Sequence, residues 1–284
     1  MNTPFNADLH CHSTVSDGLL SPTEVVRRAK ANGVDLLALS DHDELGGLAE
    51  ARKAAQGCEL DFIDGVEISV SWLDQTIHIV GLNIDPQSKA LTQGLDVVRS
   101  GREGRARRIG DELAKIGIRD AYEGAASFAE NPGLISRAHF ARYLVEAGIS
   151  RNTQEVFDHY LVRGKPGFVD HEWATLGQAL EWIHAAGGVA VIAHPGRYRL
   201  SKAEMASLFN RFRDLGGEAI EVVTSAHTDP QILEYARAAR QYGFLASRAS
   251  DFHGPGESHV DIGQAQPLPP DLTPVWSRFM PIAF

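Results

Sequence analysis

With 284 residues, 43% of them hydrophobic and 23% charged, the chain can bury the core of one barrel-sized α/β domain, or of a smaller domain carrying an insertion. This usage excludes a disordered or fibrous protein. A net charge of −10 excludes a surface coated for long nucleic acid, and no apolar run nears the roughly 18–20 residues that cross a bilayer. The first residues lack a basic-then-apolar leader, so a cytoplasmic location is expected. Two cysteines, Cys11 and Cys58, are too few for a disulfide framework and read as small buried hydrophobes. Charge is uneven: residues 99–165 hold 12 basic against 9 acidic side chains, and the remainder 15 against 28. An acidic body suits divalent cations, and a basic segment over it suits a small anion.

The predicted elements alternate β and α. The first strand is expected over 5–12. Ser21-Pro22-Thr23-Glu24 then supplies a capping residue, a first-turn proline and an acid ahead of Val25, Val26 and Ala29, and Gly33 stops that helix. Strands are expected over 34–40, 60–68 and 76–82. From about 91 to 118 the pattern turns helical and arginine-rich, residues 138–147 are helical again, and the next strand signal lies near 167–169. The expected division is therefore a barrel over 1–99 and 169–284, with a helical insertion over 100–168. A helix over 175–186, with Leu176, Ala179, Leu180 and Ile183 on one face and Gly187-Gly188 as its stop, returns to the alternation. Strands at 189–193, 219–223 and 244–247 complete it, and the proline-rich stretch 267–281 is expected to wrap the surface. Such alternation predicts a parallel sheet, open or closed.

Chemistry-bearing residues collect at strand ends. In Asp8-Leu9-His10-Cys11-His12 the alternation of a strand turns residues 8, 10 and 12 to one face. Both imidazoles can then reach one ion, with Asp8 accepting an N–H from one of them. Asp17-Gly18 follows on the same loop. Ser40-Asp41-His42-Asp43, Glu67, His78, His194-Pro195 and Ser250-Asp251-Phe252-His253 belong to later strands. In a parallel α/β sheet or barrel, the C-terminal strand edge brings such residues together. Imidazole and carboxylate without thiolate favour zinc, manganese or iron. Nine ligands suit two or three ions, with Glu67 as the bridging carboxylate. His159, His171, His184 and His259 have no such partners and read as ordinary helix or loop residues.

In order and spacing these motifs resemble those of the PHP (polymerase and histidinol phosphatase) phosphoesterases, over about three quarters of the chain. The resemblance implies a distorted (β/α)7 barrel with a metal cluster at its C-terminal face. It also implies a ligand set: His10, His12, Glu67 and Asp251 for one ion, Glu67, His78 and His194 for a second, Asp17, His42 and His253 for a third. Manganese is the first choice of metal, with zinc or iron as alternatives. Ile135-Ser136-Arg137-Ala138-His139-Phe140-Ala141-Arg142, followed by Gly164-Lys165-Pro166 and Ala186-Gly187-Gly188-Val189-Ala190, resembles the nucleoside 3′,5′-bisphosphate phosphatase branch. That branch removes the 3′-phosphate to leave a 5′-monophosphate, and some of its members trim short oligoribonucleotides.

The expected mechanism is in-line attack on phosphorus by a hydroxide bridging two metals, with water acidified from 15.7 to about 7 by the ions. His227 or Asp43 is assigned the proton for the leaving oxygen. Insert arginines are expected to clamp the unreacting phosphate. Arg137 is the first choice, with Ser136 and His139 beside it. Arg105 ranks below it, since Arg102, Arg105 and Arg108 at intervals of three read as a solvated stripe. Arg197 is placed on the rim. The expected partner is a small nucleotide, with no membrane and no obligate protein partner. The rival readings are an exonuclease on short RNA and a non-catalytic metal-stabilised module, whose mark would be missing ligands. An amidohydrolase would want a mid-strand lysine for a carbamate, and none is placed for it.

Overall fold

The computed structural model describes residues 5–280. Its strands are β1 (Ala7–Asp8), β2 (Leu36–Leu39), β3 (Asp61–Trp72), β4 (Gln75–Leu82), β5 (Ala174–Thr175), β6 (Val189–Ile192), β7 (Ala219–Val223) and β8 (Leu245–Arg248). Seven of them lie side by side in the order β1-β2-β3-β4-β6-β7-β8, and β5 pairs with β3. The ring is stitched shut between its ends: Leu9 N donates to Arg248 O at 3.2 Å, Asp251 N to His10 O at 2.8 Å and His12 N to Phe252 O at 2.9 Å. The result is a distorted barrel of the (β/α)7 kind.

Two strand expectations are corrected. The alternation predicted a parallel sheet, but β4 runs antiparallel to both β3 and β6, because Leu73-Asp74 turns the chain straight back into a hairpin. The signal near 167–169 forms no strand; the short β5 lies downstream, with Ala174 in register with Val70.

Around the ring pack α1 (Pro22–Ala31), α2 (Leu48–Cys58) and α3 (Lys89–Ser100). The helix after α3 is α4 (Arg102–Lys115), followed by α5 (Ala121–Ser127), α6 (Arg137–Glu146) and α7 (Thr153–Val156). The last three are α8 (Leu176–Ala185), α9 (Lys202–Asp214) and α10 (Asp229–Tyr242). Helix α1 starts as its sequence dictates, with Ser21 and Glu24 in a reciprocal capping box, Pro22 in the first turn, and Val25, Val26 and Ala29 buried. The continuous helical pattern expected over 91–118 is broken at Gly101, where a Cβ would lie 2.4 Å from the His171 ring. That close approach is where the chain leaves the barrel.

Three apolar clusters divide the molecule. One lies between the strands and the outer helices. A second fills the closed end of the barrel with inward residues such as Leu9, Leu36, Val80, Leu82 and Val191. The 267–281 stretch contributes here rather than only wrapping the surface: Val275 is fully buried and Trp276 packs on the same cluster, while Pro281 lies outside the described residues. The third cluster, with Ala106, Ile109, Leu113, Phe140 and Leu144, holds α4 to α7 together by themselves.

Because that cluster is separate, Phe140→Ala should cost roughly 3–5 kcal/mol in denaturant unfolding. Amide exchange should report the loss of protection mainly in α4–α6 and leave β6–β8 protected; uniform loss would contradict a separate core.

Candidate metal centre

The open end of the barrel gathers all nine side chains expected to be ligands. Glu67, in the middle of β3 and fully buried, sits at the centre. Its Oε1 lies 2.8 Å from His78 Nδ1 and 3.0 Å from His194 Nε2. Its Oε2 lies 2.9 Å from His42 Nδ1, 3.2 Å from His10 Nε2 and 3.4 Å from His12 Nε2. Asp251 Oδ1 stands 3.5 Å from His10 Nε2 and 3.3 Å from His12 Nε2. Asp17 faces His253 Nε2 at 3.5 Å and His42 Nε2 at 3.9 Å.

The reversed direction of β4 explains why His78 was met inside a strand rather than at its end. A strand running backwards presents its early residues to the edge where its neighbours present their late ones, and His78 is paired with Ser69 of β3. The backbone is bent to aim several groups. Asp43, His194 and Asp251 all have positive φ (52°, 28° and 52°), a region that costs a non-glycine residue roughly 1–2 kcal/mol.

Apart from His194 Nε2 on Glu67 Oε1, at 3.0 Å, most of these atoms are close without being hydrogen-bonded. His12 Nδ1, His42 Nδ1, Glu67 Oε2, His78 Nδ1, His194 Nδ1 and Asp251 Oδ1 are buried and have no hydrogen-bond partner. His10 Nδ1 donates to Glu221 Oε1 at 2.7 Å, so once the ring gives up its second proton Nε2 offers a lone pair, and that nitrogen faces His12 Nε2 at 3.1 Å. Converging lone pairs and carboxylates repel unless cations stand among them, and the donor set is the oxygen and imidazole set that divalent transition ions take. Groups able to share an ion are His10, His12 and Asp251; His10, Glu67 and His194; His42, Glu67 and His78; and His12, Asp17, His42 and His253.

Protonation follows the same crowding. Burial pushes the Glu67 carboxyl up, but His10, His42 and His78 more than offset it and hold it well below the usual carboxylate range. Burial lowers His42, yet Glu67 and Asp17 raise it to about 9, while burial takes His78 and His253 down to about 4. Burial also lowers His10, and Glu67, Glu221 and Asp251 reverse that and raise it well above its ordinary value.

Several expectations change at this point. Asp8 does not support a ligand histidine; its oxygens accept from Ser250 N at 2.9 Å and Gly263 N at 2.7 Å, tying the chain near its two ends together. The supporting carboxylate is Glu221 of β7, which also accepts from His194 N at 2.6 Å. A glutamate inside the buried apolar strand Ala219–Val223 was the available signal for it.

Neither proposed proton donor is free. Asp43 accepts from Ser69 N at 2.7 Å and Ser69 Oγ at 2.9 Å, and is ion-paired with Arg102. His227 donates from Nδ1 to Val222 O at 3.0 Å and accepts at Nε2 from Gly196 N at 2.9 Å, so both ring nitrogens hold backbone beside His194. Ser136 spends its hydroxyl proton on Asp17 Oδ2 at 2.9 Å, and His139 is a capping residue whose Nδ1 accepts from Ser136 N at 3.0 Å.

The arginines are not a solvated stripe as a set. Arg102 and Arg105 are buried, with their guanidinium carbons 4.8 and 5.4 Å from the Trp173 ring centre, whereas Arg108 is exposed. Arg105 Nε has no partner, and burial together with Arg137 and Arg102 pulls its pKa well below the ordinary arginine value. Arg137 is lowered to about 10 by burial, Arg197 and Arg102. Arg197 Nη1 pairs with Asp251 Oδ2 at 2.6 Å while its side chain stays half exposed.

This is a candidate metal site at the mouth of a β/α barrel, with several groups of side chains able to share an ion and a cationic patch beside it. The chain belongs to the PHP domain family, whose model matches residues 8–228. It is 49% identical over 271 residues to a 3′,5′-nucleoside bisphosphate phosphatase of Chromobacterium violaceum, covering 95% of each chain. It is 45% identical over 272 residues to a 5′-3′ exoribonuclease of Haemophilus influenzae, covering 96% of this chain and 98% of that one. The structure of an amidohydrolase from Chromobacterium violaceum with bound sulfate superposes with a TM-score of 0.94 at 48% identity, over 96% of this chain and 95% of that one. No helix among the described residues is long and apolar enough to cross a membrane.

Two outcomes are expected. Glu221→Gln should weaken metal affinity about 10- to 100-fold in chelator competition, since it orients His10; unchanged affinity would refute that role. His10 and His42, both raised, carry protons near neutral pH and must lose them to become ligands. Metal binding should therefore release protons at pH 7 and tighten as pH rises toward about 9, as calorimetry in buffers of different ionisation enthalpy will show.

Proposed function

We propose that this protein is a metal-dependent phosphatase that removes the 3′-phosphate from nucleoside 3′,5′-bisphosphates and leaves the 5′-monophosphate. The observation that carries the reading is Arg105, a buried guanidinium with an unpartnered Nε, beside Arg137, which in turn is near enough to Asp17 of the carboxylate–imidazole cluster to feel its charge. A buried positive charge without a counter-ion is costly and is relieved by an anion. Arg102 is already neutralised by Asp43, so Arg105 and Arg137 are the groups left to hold a second phosphate. Arg137 lies near enough to Asp17 and Arg197 for both to act on its charge, which supports an anion patch at the cluster's rim.

His10, His12, Glu67 and Asp251 are assigned to one ion, Glu67, His78 and His194 to a second, Asp17, His42 and His253 to a third. Manganese is our first choice. Bound divalent ions supply charge neutralisation at phosphoryl oxygens and acidify water toward neutral pH. The chain's own part is orientation: Glu221 fixes His10, Arg197 offsets charge on Asp251, and Arg105 with Arg137 anchors the far phosphate. The relative named a nucleoside bisphosphate phosphatase supports the substrate class. A cytoplasmic location supplies such small nucleotides, and no long nucleic acid or obligate protein partner is needed.

A second reading, trimming of short RNA from a 5′-phosphate, is favoured by the relative named a 5′-3′ exoribonuclease. Both readings use one anchor for the 5′-phosphate and differ in whether a monoester or a diester meets the ions. Turnover of adenosine 3′,5′-bisphosphate against a 5′-phosphorylated dinucleotide ranks them, and silence on the bisphosphate would overturn the primary reading. Arg105→Met or Arg137→Met should raise KM for the bisphosphate roughly 10- to 100-fold, about 1.5–3 kcal/mol of charge-assisted bonding. Turnover of a nucleoside 3′-monophosphate, which lacks the anchored group, should change little; equal losses on both substrates would contradict the anchor.

A further inference from the structure

The group formed by Asp17, His42 and His253 is gripped from outside the barrel. Asp17 lies on the loop between β1 and α1, and His253 on the loop that follows β8. Asp41 fixes the first loop at Ser13 and Ser16, through bonds of 2.6–2.7 Å, but makes no bond to the Asp17 side chain. The Asp17 carboxylate is instead met by Ser136 Oγ, the N-cap of α6, at 2.9 Å. Six residues further along the same helix, Arg142 donates from Nη2 to Asp17 O at 2.6 Å and forms a fork with Glu257, at 2.8 and 2.7 Å. Glu257 belongs to the His253 loop, which is closed by His253 N donating to Ser258 Oγ at 2.8 Å. Ser136 and Arg142 are both buried.

The direction of the Ser136 bond is set by chemistry. A hydroxyl has one proton; Ser136 Oγ accepts from Ala138 N at 3.0 Å as the helix cap, so its proton goes to Asp17 Oδ2. That bond leaves Asp17 Oδ1 turned toward His253 and His12.

We propose that Ser136 and Arg142 are positioning residues for the third ion, by which α6 holds Asp17 and the His253 loop in ligating geometry. This inference rests on the metal-centre reading above. The residue after Ser136 is Arg137, in the cationic patch, so one helix end touches both a metal ligand and the phosphate anchor. Filling either site orders the same helix end, and the two occupancies strengthen each other.

The test is Mn²⁺ stoichiometry and affinity of the full-length protein, measured by elemental analysis after equilibrium dialysis across a chelator-buffered series. Wild type should bind three ions. Ser136→Ala should lose affinity for the weakest by about 10- to 100-fold and keep the other two. Ser136→Thr, which retains the hydroxyl, should restore it. Adenosine 5′-monophosphate should tighten the weakest ion in wild type and not in Ser136→Ala. The control for helix capping alone is Asn152→Ala, which removes the cap bond from Glu155 N in the same group of helices without touching Asp17, and should leave all three ions bound. Equal affinities in wild type and Ser136→Ala, a wild type holding only two ions, or an equal loss in Asn152→Ala would each overturn the proposal. A wild type that binds no divalent ion would overturn the metal-centre reading itself, a different and distinguishable result.

Discussion

Glu67 is fully buried and lies within 3.4 Å of five imidazole nitrogens. Removing a carboxylate from water costs several kcal/mol unless opposite charge replaces the lost hydration. In this barrel the imidazoles would have to provide that charge as protons, and they cannot all do so. Burial pushes all four rings away from the charged form; neighbouring carboxylates reverse that at His10 and His42 but not at His78 and His253, which nearby imidazoles lower further. Divalent ions remove the conflict by supplying charge without protons. Much of the open barrel end serves that requirement, from the positive φ angles at Asp43, His194 and Asp251 to the buried carboxylate of Glu221 behind His10.

How far this was legible in the sequence follows from what each signal encodes. The cluster was visible because strand alternation and strand ends put His10, His12, His42, His194, Asp251 and His253 on one edge, whereas Glu67, expected at a strand end, lies in the middle of β3 and still faces them. The seven-stranded ring also followed, from motif resemblance rather than from periodicity. Strand direction did not. A two-residue turn at Leu73-Asp74 reverses β4, and hydrophobic pattern carries no arrow. Partners were the other blind spot. Asp8 and Glu221 are both acids on buried strands, and only the closure of the ring decides that Glu221 meets His10 whereas Asp8 meets the backbone of Ser250 and Gly263.

The same limit applies to the groups first assigned to proton transfer and substrate. Asp43, His227 and His139 are chemically able residues at suitable sequence positions, yet each is spent on a structural bond that long-range folding creates. The arginines show the reverse. A spacing of three on a helix suggested a wet face, but Trp173, some seventy residues on from Arg102 and Arg105, covers that face and leaves Arg105 buried and short of a partner. The segment from α4 to α7 thus has its own apolar core and reaches the barrel mouth through charged contacts, at Arg102 on Asp43 and Arg142 on Glu257 and Asp17. Contacts of that kind set the geometry of the mouth more than they stabilise the fold, since a buried ion pair returns little beyond its desolvation cost.

The proposed metal centre depends on Glu67 as the carboxylate shared between ions, and Glu67→Gln tests that role with almost no change in shape. The decisive measurement is divalent-metal content of this variant beside wild type, by elemental analysis at saturating Mn²⁺, with phosphate release from adenosine 3′,5′-bisphosphate followed on the same samples. The variant should lose at least one ion per chain and fall in kcat by about 100-fold or more, an electrostatic loss of roughly 2.7 kcal/mol at the transition state. Full metal content with wild-type turnover in Glu67→Gln would contradict that role.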